Sequence, residues 1–126
     1  MKFIDSNVLA FAFYDNENKE RCRNLVLEGG LINTVCLIEA FNIIEAETKS
    51  PEFAVRAIRS LLKANLEIID VDINLIFEAL KKREKYNSLK FLDLVHYISA
   101  RLNNCEEIAS YDSDFDDLEI KRVTGI

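Results

Sequence analysis

Short apolar runs, typical of buried strands, alternate along this chain with longer segments whose apolar residues recur at the three- to four-residue spacing of a helix. The apolar runs predict strands at residues 2–5, 31–33, 66–69, 108–109 and 120–123. The helical spacing predicts helices at residues 6–14, 17–28, 34–49, 51–63, 72–86 and 91–103. Strands that alternate with helices favour a parallel sheet with helices on both faces.

The ends of the predicted helices carry recognisable boundary residues. Gly29 and Gly30 are expected to end the second helix, and Thr34 is expected to cap the third. Pro51 suits the first position of the fourth helix. Residues 8–14 are apolar around the whole predicted helix, so this helix is expected either between the sheet and a neighbouring helix or partly against another chain.

Length and composition indicate one globular domain spanning residues 1–126, with 49% hydrophobic and 30% charged residues. The sequence has no apolar run near the roughly 18 residues that span a bilayer, and no secretory signal at its start. We therefore expect a cytoplasmic protein without a membrane partner. Cys22, Cys36 and Cys105 lack C-x-x-C spacing, which favours buried free thiols over disulfides or a zinc site.

Charge and histidine content narrow the chemistry further. The net charge of −6 argues against tight nonspecific binding of nucleic acid, unless the acidic residues concentrate in a metal site. The single histidine excludes a His-rich metal site, so a cation here would be one that prefers oxygen ligands, Mg²⁺ or Mn²⁺ rather than zinc. That histidine, His96, is expected to pack or to lie at the surface rather than to act in catalysis.

Four acidic residues follow predicted strands or lie early in predicted helices: Asp5, Glu39, Asp93 and Asp112. In a parallel α/β fold these positions converge on one edge of the sheet, where ligands bind. Each has an ordinary explanation by itself, helix capping for Asp5 and a favourable helix dipole for Glu39 and Asp93. Together they predict carboxylates that a divalent cation neutralises, and hence metal-dependent phosphate chemistry.

The acidic residues belong to four segments in a fixed order: Asp5-Ser6-Asn7-Val8-Leu9, Thr34 to Glu39, Phe91-Leu92-Asp93 and Ser110-Tyr111-Asp112-Ser113-Asp114-Phe115. This series resembles the PIN-domain family, which includes the VapC-type toxin ribonucleases and several RNA-processing nucleases, and the resemblance covers essentially the whole chain. Two departures are mild: Ser110 stands where many members have threonine, and the segment before Asp93 lacks the common Gly-rich lead-in.

The resemblance implies a three-layer α/β/α fold around a central, mainly parallel sheet. It implies that metal coordination and catalysis use Asp5, Glu39, Asp93 and Asp112, with Asp114 as a further ligand and Ser6 and Asn7 supporting the ligands. It also implies Mg²⁺- or Mn²⁺-dependent hydrolysis of RNA by a metal-activated water, as the toxin of a toxin–antitoxin pair. The implied partners are RNA, a second copy of the chain in a homodimer, and an antitoxin protein whose basic segment reaches the acidic pocket.

Other readings of the same residues remain open. A PIN-domain nuclease that processes RNA without being a toxin, and a non-catalytic PIN domain that only binds partners, share the same motifs. A phosphotransferase with a D-x-D motif would need an acid where this chain has Asn7. A receiver-like signalling domain would need a pair of acids after the first strand and a lysine near the last, and Asp5 is single.

Overall fold

The computed structural model describes residues 1–125, and within them five strands form one sheet. The strands are β1 (Lys2–Ile4), β2 (Gly30–Asn33), β3 (Leu66–Ile69), β4 (Glu107–Ala109) and β5 (Lys121–Val123). Their order across the sheet is β3-β2-β1-β4-β5, and each neighbouring pair is parallel. The carboxyl ends of all five strands therefore lie at one edge.

Helices cover both faces of the sheet. They are α1 (Ser6–Phe11), α2 (Lys19–Glu28), α3 (Thr34–Thr48), α4 (Pro51–Leu62), α5 (Ile73–Lys82) and α6 (Phe91–Leu102). Connections between parallel strands are right-handed, so the direction of each connection across the sheet determines the face on which its helices lie. The connections from β1 to β2 and from β2 to β3 run in the same direction and place α1–α4 on one face. The connection from β3 to β4 runs in the opposite direction and places α5 and α6 on the other face. Contacts of α1 with α2 and α3, of α3 with α4, and of α5 with α6 agree with this arrangement. The three-layer α/β/α fold is confirmed.

The core lies on both sides of the central strands. Phe3, Ile4, Leu31, Ile32 and Ile108 have no exposed surface, as expected for strands of a parallel sheet that are covered on both faces. Helix α6 is also deeply enclosed, with every residue from 94 to 100 buried. Polar side chains on this helix are therefore brought inside the protein.

The five predicted strands and six predicted helices are all present, but some boundaries were wrong. Helix α1 ends at Phe11 rather than at residue 14 because the Asn16 amide donates to the carbonyl oxygens of Phe11 (2.9 Å) and Tyr14 (2.6 Å), which closes a turn. Thr34 does not cap α3. The cap is Asn33, and the Thr34 hydroxyl instead accepts a hydrogen bond from the Val71 backbone. Helix α5 ends at Lys82 rather than at residue 86.

Helix α1 packs against α2 and α3 and buries Val8, Leu9 and Ala10. Phe11 and Tyr14 are partly buried and meet edge to face, with ring centroids 6.1 Å apart. These contacts within the chain support the first of the two explanations for its apolar surface, a position between neighbouring elements. The three cysteines are buried free thiols, as predicted. Within residues 1–125, no helix is long and apolar enough to cross a membrane.

Candidate metal centre

Asp5 is the most enclosed of the candidate acids, only 4% exposed between β1 and α1. Its Oδ1 accepts from the Ser6 backbone N–H at 2.7 Å, and its Oδ2 accepts from the Ser110 hydroxyl at 2.7 Å. The Ser6 hydroxyl and the Asn7 amide lie farther away, each 3.4 Å from a carboxylate oxygen. Burial raises the pKa of Asp5, and His96 together with the Ser110 and Ser6 hydrogen bonds opposes that increase. Both oxygens are thus held in place.

Asp93 lies in the first turn of α6 and is half-buried. Burial and the negative charges of Asp5, Asp112 and Glu39 together raise the pKa of its carboxyl group to about 6. Such an influence requires that the four carboxylates share one region. Asp93 therefore connects the acids that follow β1 and β4 with the acid on α3.

Asp112 and Asp114 lie in the connection after β4. The Asp112 carboxylate accepts from the Asp114 backbone N–H at 2.9 Å and caps a short 3₁₀ turn, Ser113–Phe115. The Asp112 backbone N–H donates to the Ser110 hydroxyl at 3.0 Å. One carboxylate oxygen each from Asp93, Asp112 and Asp114 lies within 4.8 Å of the others. Asp114 is the exposed member of this group.

Glu39 lies in the second turn of α3 and forms a second group with Asp5 and His96, whose ligand atoms are all within 4.8 Å of one another. The His96 Nε2 is 2.6 Å from the Glu39 Oε1. His96 itself is completely buried, so the alternative of a surface position is wrong. Its direct contact with a candidate acid was not anticipated from the sequence.

The structure thus places Asp5 with Glu39 and places Asp93 with Asp112 and Asp114, in two adjoining groups. Sequence reasoning gave Ser110 no role, although this residue touches both Asp5 and Asp112. The contact of Ser110 with Asp5 could have been predicted from the strand order, if that order had been known. Ile4 pairs with Ala109 in the register of β1 and β4, so the residues that follow them must be neighbours.

The donor set fits a hard divalent cation. Five carboxylates lie in two adjoining groups, and oxygen ligands of this kind are those that Mg²⁺ and Mn²⁺ prefer. Burial is the main cause of the raised pKa of Asp93, and the negative charges of Asp5, Asp112 and Glu39 add to it. A cation at this position would offset these negative charges.

The family model of the PIN domain matches residues 2–121. The chain belongs to the PIN domain family. In this PIN domain, Asp5 and Asp112 follow β1 and β4, and Glu39 and Asp93 lie on α3 and α6. No curated protein sequence is significantly similar to the chain.

Three solved structures share this fold. VapC20 of Mycobacterium tuberculosis, described as a toxin that cleaves the sarcin-ricin loop, is 15% identical with a TM-score of 0.80, over 96% of this chain and 99% of its own. A toxin-antitoxin complex from Klebsiella pneumoniae is 16% identical with a TM-score of 0.72, over 98% and 97%. VapBC2 of Rickettsia felis, bound to a promoter DNA fragment, is 17% identical with a TM-score of 0.73, over 97% and 96%. At these identities, the likeness establishes the fold of this PIN domain.

Proposed function

We propose that this protein is an endoribonuclease that depends on Mg²⁺ or Mn²⁺ and acts as the toxin of a toxin–antitoxin pair. The observation that carries the proposal is the pair of adjoining acidic groups at the carboxyl edge of the sheet, where burial and the charges of Asp5, Asp112 and Glu39 raise the pKa of Asp93 to about 6. The fold shared with VapC20, a toxin that cleaves the sarcin-ricin loop, supports a nuclease.

Asp5, Glu39, Asp93 and Asp112 would hold the cation, with Asp114 at the exposed side. A bound divalent cation lowers the pKa of a water molecule and offsets the negative charge that develops on the phosphate. The chain's own contribution is to hold the ligands: the Ser6 backbone and the Ser110 hydroxyl fix Asp5, and Ser110 also binds the backbone of Asp112. Partial exposure of Asp93 and Asp112 leaves access for RNA.

Replacing Asp5 or Asp112 by asparagine tests the site, because each change removes a charge while nearly preserving shape. We expect both variants to fold and RNA cleavage to fall by about 10²-fold or more, as loss of a metal ligand implies. Cleavage of a labelled RNA in Mg²⁺ and in Mn²⁺ is the measurement. Asp15→Asn is the matched control, since the Asp15 side chain is fully exposed and binds only Lys19. Unchanged cleavage by purified Asp5→Asn protein would contradict the assigned site.

A comparison of substrates separates a nuclease from a phosphotransferase. The wild-type protein is expected to fragment RNA in Mg²⁺ and to release no phosphate from a phosphomonoester such as p-nitrophenyl phosphate. Release of phosphate from the monoester, without fragmentation of RNA, would favour the phosphotransferase reading. Asp5→Asn protein, assayed alongside, identifies any activity that comes from a contaminant.

The toxin role and its partners are tested in cells. Induced expression of the wild-type chain is expected to arrest growth, and expression of Asp5→Asn protein is not. Co-expression of a small DNA-binding protein encoded next to this chain should restore growth. We propose that a basic segment of that partner binds near Asp5 and Asp93, where an arginine or lysine would pair with the carboxylates. Cleavage of RNA in vitro without growth arrest would instead support an RNA-processing nuclease.

A further inference from the structure

A chain of buried polar groups connects the backbone of α3 with Glu39. Asn33, His96 and Ser99 form it, and none of the three has any exposed surface. The Asn33 Oδ1 accepts a hydrogen bond from the Cys36 backbone N–H at 2.9 Å. Because a backbone N–H can only donate, this contact determines which way the Asn33 amide faces. Its nitrogen must point away from Cys36, toward His96 and Ser99.

The direction of each following hydrogen bond is then determined. The Asn33 Nδ2 lies 2.9 Å from the His96 Nδ1 and donates to the Ser99 Oγ at 3.0 Å. Ser99 can accept because its own hydroxyl proton goes to the Val95 carbonyl oxygen at 2.8 Å. The His96 Nδ1 thus faces the Asn33 amide and, at 3.7 Å, the Cys36 Sγ, while its Nε2 faces the Glu39 Oε1.

The role of His96 does not depend on the charge of its ring. Burial lowers the pKa of the ring, but Cys36 and the carboxylates of Glu39 and Asp5 outweigh it, and the pKa lies well above its usual value. A carboxylate can only accept a hydrogen bond, so the Nε2 that faces the Glu39 Oε1 at 2.6 Å must carry a proton in either charge state.

We propose that His96 is a positioning residue, an Nε2–H donor that holds Glu39 for the cation and is not itself a metal ligand. The donated bond, 2.6 Å long, occupies the Glu39 Oε1 and leaves Oε2 available to a metal. A nitrogen that carries a proton has no lone pair for a metal, so the site keeps its oxygen-only ligand set. This inference rests on the proposed function, in which Glu39 is a metal ligand.

The protonation state of the ring can be read directly by NMR. His96 is the only histidine, so a sample labelled with ¹⁵N-histidine contains one imidazole signal set. We expect a proton on Nε2 both without metal and with saturating Mg²⁺. A neutral ring with its proton on Nδ1, or loss of the Nε2 proton on addition of Mg²⁺, would overturn the proposal. This measurement uses the wild-type protein and does not depend on any variant folding.

Two substitutions separate positioning from simple packing. His96→Gln places an amide N–H near the position of Nε2 and retains a donor for Glu39, whereas His96→Asn reaches only the position of Nδ1 and loses that donor. Both variants leave one buried partner unpaired, so we expect similar losses of thermal stability. Mn²⁺ binding, followed by the EPR signal of free Mn²⁺, should stay near the wild-type level in His96→Gln and weaken about 10- to 100-fold in His96→Asn. Equal weakening in both would overturn the proposal.

These results also distinguish this inference from the proposed function. Wild-type protein that binds Mn²⁺ but does not cleave RNA contradicts the nuclease assignment, while the comparison of the two His96 variants still supports or overturns positioning. Wild-type protein that binds Mn²⁺ and cleaves RNA, together with equally weakened variants, overturns positioning and leaves the nuclease assignment intact.

Discussion

At the scale of single residues, hydrogen-bond donors orient the carboxylates of the candidate site. Ser110 is the clearest case, because its hydroxyl donates to the Asp5 Oδ2 at 2.7 Å and accepts from the Asp112 backbone N–H at 3.0 Å. One buried hydroxyl therefore holds a ligand that follows β1 and the backbone of a ligand that follows β4. Its loss should affect both the stability of the fold and the binding of a cation.

Ser110→Ala is expected to weaken Mn²⁺ binding about 10- to 100-fold, because Asp5 loses a hydrogen bond that orients it. The free energy of unfolding should fall by about 1–3 kcal/mol, since a buried acceptor and a backbone donor lose their partner. Mn²⁺ titration and urea denaturation measure the two effects.

Two further variants serve as controls. Ser110→Thr retains the hydroxyl and should bind Mn²⁺ nearly as wild type does, and Ser113→Ala controls for removing an exposed serine. A Ser110→Ala protein with unchanged Mn²⁺ affinity would contradict the role of Ser110.

The metal-free protein should become less stable as the pH rises toward neutrality. The pKa of Asp93 is about 6 in the folded state, above the value of about 3.9 in unfolded chains, so the folded state binds more protons between these values. The free energy of unfolding should therefore decrease from pH 4 to pH 6, by about 1 kcal/mol after allowance for solvent screening at this half-exposed group.

Urea denaturation of protein stripped of metal, at several pH values, measures this effect. Asp93→Asn should flatten the decrease, and millimolar Mn²⁺ at neutral pH should restore stability by binding only the folded state. If the pH dependence is the same in Asp93→Asn, then Asp93 is not its source. If Mn²⁺ leaves the melting temperature unchanged at neutral pH, the acids do not form a shared cation site.

At the scale of elements, the connection between β4 and β5 carries two of the five acids and is held to β5 by Arg122. The Arg122 Nε is 2.5 Å from the Asp116 Oδ1, and its Nη1 donates to the Ser110 carbonyl oxygen at 3.1 Å. The guanidinium thus ties both ends of the segment that includes Asp112 and Asp114. A planar side chain with several donors suits such a double attachment better than lysine would.

Arg122→Ala should loosen this segment and weaken Mn²⁺ binding by about 10-fold, the lower end of the range for partners of metal ligands. The fold should survive, because the Arg122–Asp116 pair lies at the surface and such pairs contribute little stability. Lys121→Ala is the control, since Lys121 is the exposed neighbour on the same strand. Equal Mn²⁺ affinities in the two variants would show that the attachment does not order the acids.

At the scale of the whole molecule, an apolar stripe on α5 is exposed in the single chain. Ile73, Phe77 and Leu80 are 62%, 55% and 54% exposed and follow one another at intervals of four and three residues, so they share one face of the helix. Exposed apolar patches of this kind mark interaction surfaces. Phe11 and Tyr14, which the sequence offered as possible dimer contacts, are instead partly buried against the core. The stripe on α5 is therefore the better candidate for a homodimer surface.

We expect the wild-type protein to be a homodimer at tens of micromolar, where a dimer with a Kd of about 1 μM persists. Phe77→Lys should shift it to the monomer because a charge would be buried at the interface. Light scattering after size-exclusion chromatography measures the mass of each species. Leu27→Lys, at an exposed leucine on α2, is the matched control and should leave the dimer intact. A monomeric wild-type protein would contradict the homodimer, and a dimeric Phe77→Lys protein would contradict the surface.

The sequence was sufficient to predict the order and type of the elements and the parallel α/β class, and it singled out Asp5, Glu39, Asp93 and Asp112 as candidate ligands. These predictions follow from local periodicity, boundary residues and the rule that carboxyl ends of parallel strands share an edge. The contact of Ser110 with Asp5, across 105 residues, and the burial of His96 against Glu39 are visible only in the folded protein. The physical reason is that both contacts depend on which strands and helices become neighbours, and that choice is made by packing of the whole core rather than by any local pattern.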